Sequence, residues 1–349
     1  MQLFPTFINR EDVFRILHND FQKVIDVVEA SFLKYENKQV LFPDKISQIF
    51  DQTTQNRINC MPATLLDDRV CGVKWISVFP TNAPKGLPNV LGVMLLSEIE
   101  TGSTLAVVDA GYMTTVRTAA VGCLGAKYLA PSRVERVGFI GAGEEARMHM
   151  RMLKAIYPTI KECRVSSRKQ TTEDAFVASL ADLTDVCFTK CGGDNRKSAE
   201  NADIIVTAIS GQAPVLKADY IKKGCLYIHV GGWEDEYAVP RKADKIVCDE
   251  WNACKHRSQT ISRMFVDGEL KDEDIYANMS DLITGRKAGR ENDDEFIYFN
   301  SVGLSYIDVA LCNYIYKSYM GENATPSKLN GGVFLPDNQP LTSGGVNKT

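Results

Sequence analysis

Nowhere in these 349 residues do eighteen or so apolar side chains run together, so no segment is long enough to cross a membrane as a helix. The opening residues, Met1-Gln2-Leu3-Phe4-Pro5, lack the basic stretch and apolar run of a secretory leader, and the expected compartment is the cytoplasm. Histidine is scarce. His18, His149, His229 and His256 lie far apart and no C-x-x-C occurs, so no metal site is expected. The formal net charge is -4 and no basic stretch is interleaved with aromatics, which argues against nucleic acid as a partner. Cysteine is plentiful, but the ten are scattered through apolar runs without a framework spacing. Reduced, mostly buried thiols are the expectation.

What is present is a globular composition, 44% hydrophobic and 24% charged, in a chain too long for one ordinary domain. Two lobes and small-molecule partners are therefore expected. Between 9 and 38, Val13, Ile16 and Leu17, then Phe21, Val24, Ile25, Val28, Phe32 and Leu33, recur at the spacing of two amphipathic helices. Alternating and β-branched runs follow at 57–65, 70–79, 90–96 and 105–109, the last two joined by the turn-like Glu100-Thr101-Gly102-Ser103. This first lobe reads as a mainly antiparallel sheet with helices. The small-residue-rich segment 111–130 predicts a helix connecting the lobes. Beyond it, short apolar strands at 134–140, 163–166, 204–208, 225–230 and 245–248 alternate with helix-length segments, the pattern of a doubly wound parallel sheet. A strand at 295–299 and a helix at 307–319 follow, the helix returning to the first lobe. The tail 323–349, rich in Gly, Pro, Ser, Thr and Asn, predicts a flexible end.

The fold class is thus α/β, a Rossmann-type doubly wound parallel sheet at 119–306 plus an α+β substrate lobe made of 1–118 with 307–322. The most informative stretch is Val137-Gly138-Phe139-Ile140-Gly141-Ala142-Gly143-Glu144-Glu145-Ala146. It ends an apolar strand with a G-x-G-x-x-A turn and opens a helix. Gly141 suits the tight turn, Gly143 has no Cβ to block a phosphate, and Ala146 lets the helix pack closely on its strand. The phosphates of a dinucleotide would rest on backbone N–H groups at the helix N-terminus. An acid about 20 residues on would hold the ribose of NAD. This chain has Ser166-Ser167-Arg168-Lys169 there instead. Hydroxyls and two cations suit a 2′-phosphate, so NADP(H) is favoured and NAD(H) remains possible; an ordinary solvated turn is the plain alternative.

Charged residues inside apolar segments need a partner, because a lone buried charge is costly. Lys74 lies in Cys71-Gly72-Val73-Lys74-Trp75-Ile76, and Arg117 in Thr114-Thr115-Val116-Arg117-Thr118-Ala119. With Lys45 or Arg57 they could clamp a substrate carboxylate. Salt bridges to Asp109 or Glu98 are the structural alternative. Gly231-Gly232-Trp233-Glu234-Asp235-Glu236 follows a strand, so its acids fall at the carboxyl edge of the sheet, where open α/β sheets bind ligands. Glu234 or Asp235 is a candidate proton carrier, and solvated loop acids are the alternative.

With Arg117-Thr118-Ala119-Ala120, the Gly141 turn, and Ser301-Val302-Gly303-Leu304 before a terminal helix, the chain resembles the ornithine cyclodeaminase/μ-crystallin family. The likeness runs to about Tyr319. The segments 248–254 and 289–295 look most like the siderophore-pathway branch that oxidatively cleaves N-(2-amino-2-carboxyethyl)-L-glutamate. The resemblance implies a homodimer formed through the first lobe. It makes Lys74 and Arg117 contacts to substrate carboxylate and amine, with Lys45 where relatives often have an arginine, and Lys74 and Glu234 catalytic. It makes Gly141, Gly143 and Ala146 the pyrophosphate turn and places Ser301, Val302 and Gly303 beside the nicotinamide, and Thr118, Ala142, Glu144 and Ala208 are further candidate cofactor contacts. Glu234 departs from the family's aspartate by one methylene, and Glu236-Tyr237-Ala238 stands where cyclodeaminases tend to have Pro-Gly-Lys. The function implied is an NAD(P)-dependent oxidoreductase working on the C–N bond of an amino, imino or N-substituted amino acid, with an amino acid or 2-oxo acid as substrate. Two alternatives stay open: a cyclodeaminase that returns the hydride and releases ammonia, and a non-enzymatic binder of NADPH and a small ligand.

Overall fold

The computed structural model describes residues 4–322, so the expected flexible tail at 323–349 lies outside the described residues. Alternation in the first third builds β1 (Thr6–Ile8), β2 (Val40–Leu41), β3 (Ile46–Asp51), β4 (Asn56–Leu65), β5 (Val70–Val78), β6 (Val90–Glu98) and β7 (Thr104–Asp109). They form one sheet in the order β1-β7-β6-β5-β4-β2, with β3 also on β4. Every pair but β1–β7 is antiparallel. Period two sends Val70, Lys74 and Ile76 of β5 to the inner face and Trp75 outward. The inner face is covered by α1 (Arg10–His18), α3 (Ala110–Leu129) and the closing helix Ser305–Glu322, with α2 (Phe21–Glu36) packed on α3 and the closing helix. That helix starts two residues earlier than the apolar pattern indicates, and it packs on β4 and β5 as well as α2.

Small residues let α3 run through the middle of the molecule with sixteen of its twenty residues buried. A Cβ on Gly125 would sit 2.5 Å from the Phe299 ring, so the helix can lie on the second sheet only with glycine there. That sheet is wholly parallel: β8 (Arg136–Ile140), β9 (Glu162–Ser166), β10 (Cys187–Lys190), β11 (Ile204–Thr207), β12 (Leu226–His229), β13 (Lys245–Cys248), β14 (Ala277–Asn278) and β15 (Ile297–Asn300). Its order is β10-β9-β8-β11-β12-β15-β13-β14. The chain goes from β8 to β9 on one side and returns to β11 on the other, so a crevice opens at the carboxyl ends of β8 and β11. No helix among the described residues is long and apolar enough to cross a membrane.

Candidate functional site

The crevice is lined first by the turn after β8. Gly141 has φ 104°, and its amide donates to Ser166 O at 2.9 Å. A Cβ there would lie 2.9 Å from the Ala208 carbonyl carbon, so Gly141 and Ala208 bind the two sides of the switch point together. Ala142 is buried and Ala146 wholly so. Gly143 caps α4 (Glu144–Ile156) without a side-chain hydrogen bond, and nothing lies within 4 Å of where its Cβ would be. Glu144 is exposed at the first turn. This open helix start fits a pyrophosphate.

At the end of β9 the four residues divide. Ser166 is buried and its Oγ donates to Asn195 Oδ1 at 2.7 Å. The Ser167 amide donates to Glu173 Oε1 at 2.8 Å, and Glu173 also accepts from the Gly192 and Gly193 amides, each at 3.0 Å. The acid nearest this corner is therefore buried and bound to the protein's own backbone. Arg168 and Lys169 are exposed. Of the proposed phosphate-matching set, Ser166 is turned inward and only the two cations are fully open to a ligand.

Between the two sheets lies a cluster of cations. Lys74 Nζ, without exposed surface, is 2.6 Å from Asp308 Oδ2, and Arg117 Nε donates to Asp308 Oδ1 at 3.0 Å. The partner is thus neither Asp109, which caps α3 through the Gly111 amide, nor Glu98, which holds the 98–101 turn. Burial, then the nearby Arg117 charge, bring the Lys74 ammonium down to about 8 despite Asp308. Lys45, half-buried before β3, is brought down to about 7 by burial and by Arg257, Arg57, Lys74 and Arg117. Glu145, on the first turn of α4, is pushed up to about 8 by burial, although Arg117 and Lys74 pull the other way. Its Oε2 is buried without a hydrogen-bond partner.

The 301–303 loop closes this cluster. Asp249 accepts from the Val302 amide at 2.7 Å and the Gly303 amide at 2.9 Å, with Ser301 Oγ at 3.4 Å. Gly303 has φ 79°, and a Cβ there would be 2.9 Å from the Arg117 guanidinium carbon. Thr118, on the same helix, is buried with its hydroxyl on Thr114 O. Arg117 thus lies against Gly303, and Lys45 feels Arg57, Lys74 and Arg117 through space. Sequence reasoning missed Asp308, Glu145, Asp249 and Arg257. Asp308 carries the same signal as Lys74, a lone charge in the apolar stretch Tyr306-Ile307-Asp308-Val309.

Glu234 and Asp235 do follow β12, but both are fully buried. Glu234 accepts from the Thr207 hydroxyl and the Ile209 amide, each at 2.6 Å, and from the Gly231 amide at 2.8 Å. Asp235 accepts from Thr260 at 2.7 Å and from Tyr227 and Tyr298 at 3.2 Å. Burial raises Glu234 to about 7 and Asp235 to about 8, and lowers the adjoining His229 to about 3. Glu234 thus stands at the expected sheet edge with its carboxylate held by the crevice loops. Its carboxylate ties the loop after β11 to the loop after β12, and no surface of it is open. The solvated-loop alternative fails for the same reason.

Comparison with known proteins matches residues 7–323 to the family model described as ornithine cyclodeaminase/mu-crystallin. An alanine dehydrogenase of Archaeoglobus fulgidus is 30% identical over 321 residues, covering 90% of this chain and 95% of its own. An N-((2S)-2-amino-2-carboxyethyl)-L-glutamate dehydrogenase of Staphylococcus aureus is 24% identical, covering 91% and 96%. Among solved structures, an archaeal alanine dehydrogenase dimer with bound NAD superposes with a TM-score of 0.83 at 29% identity, covering 91% of this chain and 97% of that one.

Proposed function

This chain belongs to the ornithine cyclodeaminase/mu-crystallin family, and on that premise we propose that it is an NAD(P)-dependent oxidoreductase acting on the C–N bond of an amino, imino or N-substituted amino acid. The observation that carries the reading is the Arg117 guanidinium packed on Gly303. It sets a carboxylate-binding cation against the loop beside which a nicotinamide would lie, at the mouth of a crevice that begins with the Gly141 turn.

Gly141, Ala142, Gly143 and Ala146 would hold the pyrophosphate, and Ser301, Val302 and Gly303 would flank the nicotinamide, which when bound supplies the hydride acceptor or donor. Lys74 and Arg117 orient the substrate α-carboxylate, with Asp308 fixing both cations. Lys45 and Arg57 extend the cationic wall. Lys74, held near 8, exchanges a proton at Nζ close to neutral pH. Glu145 is the second proton carrier, because its raised carboxyl adjoins Lys74 and Arg117. Glu234 is left as a brace between the crevice loops.

Three finer readings join this one. Arg168 and Lys169 favour NADPH over NADH, since both stand exposed while Glu173 is turned away. The protein is a homodimer through the outer face of the first sheet, where Trp75, Leu91, Val93 and Leu95 are exposed together. That reading is supported by the dimeric archaeal neighbour. Ten free cysteines, most of them buried, fit a reducing cytoplasm.

The test follows reduced-cofactor absorbance while purified protein is offered amino acids, and then 2-oxo acids with amines. Net cofactor turnover with a member of the panel is expected. Ammonia release without net reduction would instead make it a cyclodeaminase, and no turnover together with tight NADPH binding would leave a ligand-binding protein.

A further inference from the structure

At the carboxyl ends of β9 and β10 a single acid joins two loops. Glu173 has no exposed surface. It stands in the first turn of α5 (Gln170–Ser179), where the next residue, Asp174, faces water and pairs with Lys190 at 2.6 Å. The Glu173 carboxylate instead turns back toward the strand ends. Its Oε1 accepts from the Ser167 amide at 2.8 Å and the Gly193 amide at 3.0 Å, and its Oε2 accepts from the Gly192 amide at 3.0 Å. Three backbone amides and no cation are its partners among the described residues.

Amides that converge in this way form a nest for an anion. Gly192 and Gly193 supply two successive N–H groups because both are left-handed, with φ 62° and 82°, a conformation costly for residues that carry a Cβ. A carboxylate buried without a counter-ion is unfavourable, and three charge-assisted bonds offset that cost. These bonds act between loops. Ser167 lies in the loop after β9 and the two glycines in the loop after β10. The loops also meet near their roots, where Cys191 N donates to Val165 O at 2.8 Å and Ser166 Oγ to Asn195 Oδ1 at 2.7 Å. In a doubly wound sheet this corner is where the adenosine ribose of a dinucleotide rests. With Ser166 and the Ser167 amide taken up inside the protein, Arg168 and Lys169 are what the corner presents. Their placement follows the loop that Glu173 holds.

We propose that Glu173 is a positioning residue for the adenosine half of the cofactor: its carboxylate locks the loops after β9 and β10 together and so sets Arg168 and Lys169 against the ribose and its 2′-substituent. This rests on the reading that an NAD(P) molecule extends from the Gly141 turn, and it holds for either cofactor.

The test is calorimetric titration of the purified protein with NADPH and with NADH, for wild type, Glu173→Gln and Glu173→Ala, each with and without acetate. The Phe176 ring lies 5.5 Å from that of Phe139 and 6.3 Å from that of Phe188, which anchors α5 independently of Glu173, and thermal unfolding checks that each variant is folded. Glu173→Ala empties the nest, and Kd for the cofactor that the wild type binds more tightly should rise roughly tenfold or more. Acetate, a free carboxylate, should recover part of that loss and leave the wild type unaffected. Glu173→Gln, equal in size but with one acceptor oxygen, should fall between the two. A role in stability alone would lower the unfolding temperature and leave Kd in place. An unchanged Kd in folded Glu173→Ala, or a rise that acetate does not reduce, overturns the proposal.

Failure of this proposal and of the readings beneath it can be told apart. A wild type that binds NADH more tightly defeats the NADPH preference, and weakened NADH binding in Glu173→Ala, recovered by acetate, then still supports the role of Glu173. Substrate turnover with an unchanged Kd in Glu173→Ala keeps the oxidoreductase reading and defeats this one. Acetate-sensitive cofactor binding with no turnover of any substrate does the reverse, and a wild type that binds neither cofactor overturns both.

Discussion

Lys74 Nζ and Asp308 Oδ2 meet at 2.6 Å with no exposed surface on either side chain, joining an inner-face strand of the first sheet to the closing helix. Asp308 also accepts from Arg117, so one carboxylate sets two cations of the clamp. Replacing it as Asp308→Asn leaves two buried cations beside a neutral amide, and a loss of about 3–5 kcal/mol in urea unfolding is expected. The sign of the pH effect follows from the same geometry. Asp308 raises the Lys74 ammonium, against burial and Arg117. Without it Lys74 loses its proton at lower pH than about 8, and the alkaline limb of kcat/KM should move to lower pH. An unmoved limb would mean that Lys74 does not titrate in catalysis.

The two glycines of the cofactor turn should fail in different ways. Gly141 has φ 104° with the Ala208 carbonyl where a Cβ would go, so Gly141→Ala is expected to cost about 1–3 kcal/mol of stability. Gly143 has φ -78° and open space beside it, so Gly143→Val should leave thermal unfolding nearly unchanged. Its KM for cofactor should rise roughly tenfold or more, because the added methyls occupy the phosphate position. Stability and cofactor KM measured on both variants test the pair together.

These two sites also show how far the sequence reaches. The Gly141 turn was readable because strand, turn and helix start are contiguous, and every constraint is local. Lys74 was readable as a lone cation in an apolar strand, but its partner was not, since spacing says nothing of what a helix more than two hundred residues away presents to it. Glu234 was placed at the correct sheet edge, yet the direction of its side chain is set by the Thr207, Ile209 and Gly231 donors, which only the folded crevice assembles. Strands β3 and β10 escaped notice for a simpler reason. Their residues are largely exposed, so no apolar run marks them.

On the proposed preference for NADPH, the 2′-phosphate would meet Arg168 and Lys169, which stand exposed at the end of β9 while Glu173 bonds inward. Changing both to alanine should lower the NADPH-to-NADH ratio of kcat/KM by roughly 10- to 100-fold, the value of one or two charge-assisted contacts to a 2′-phosphate. Most of the change should fall on KM for NADPH. A ratio unaffected by the double substitution would assign the corner to solvent.

On the outer face of the first sheet, Cys60, Trp75 and Val93 are directly opposite one another on three adjacent strands, as are Pro62, Val73, Leu95 and Val107 on four. An apolar face this continuous is unfavourable in water. Val93→Glu puts a charge at its centre, and sedimentation should show a monomer where the wild type sediments as a dimer. Dimers in both proteins would move the interface elsewhere.

Asp235 and Glu234 carry a pH signature independent of activity. Both are wholly buried, and burial raises them to about 8 and about 7, above their ordinary values of 3.8 and 4.5. The folded state therefore keeps protons that the unfolded chain releases, so stability is fully present below about pH 4 and is lost as pH rises through 7 to 8. Asp235→Asn removes the larger part of this linkage and preserves an acceptor for Thr260, Tyr227 and Tyr298. Chemical unfolding at pH 5 and pH 8 should show the wild type losing on the order of 1–3 kcal/mol more than the variant over that interval. The variant should be relatively more stable at the higher pH. The opposite ordering would mean that Asp235 is ionised in the folded protein, with His229, 3.4 Å away, protonated beside it.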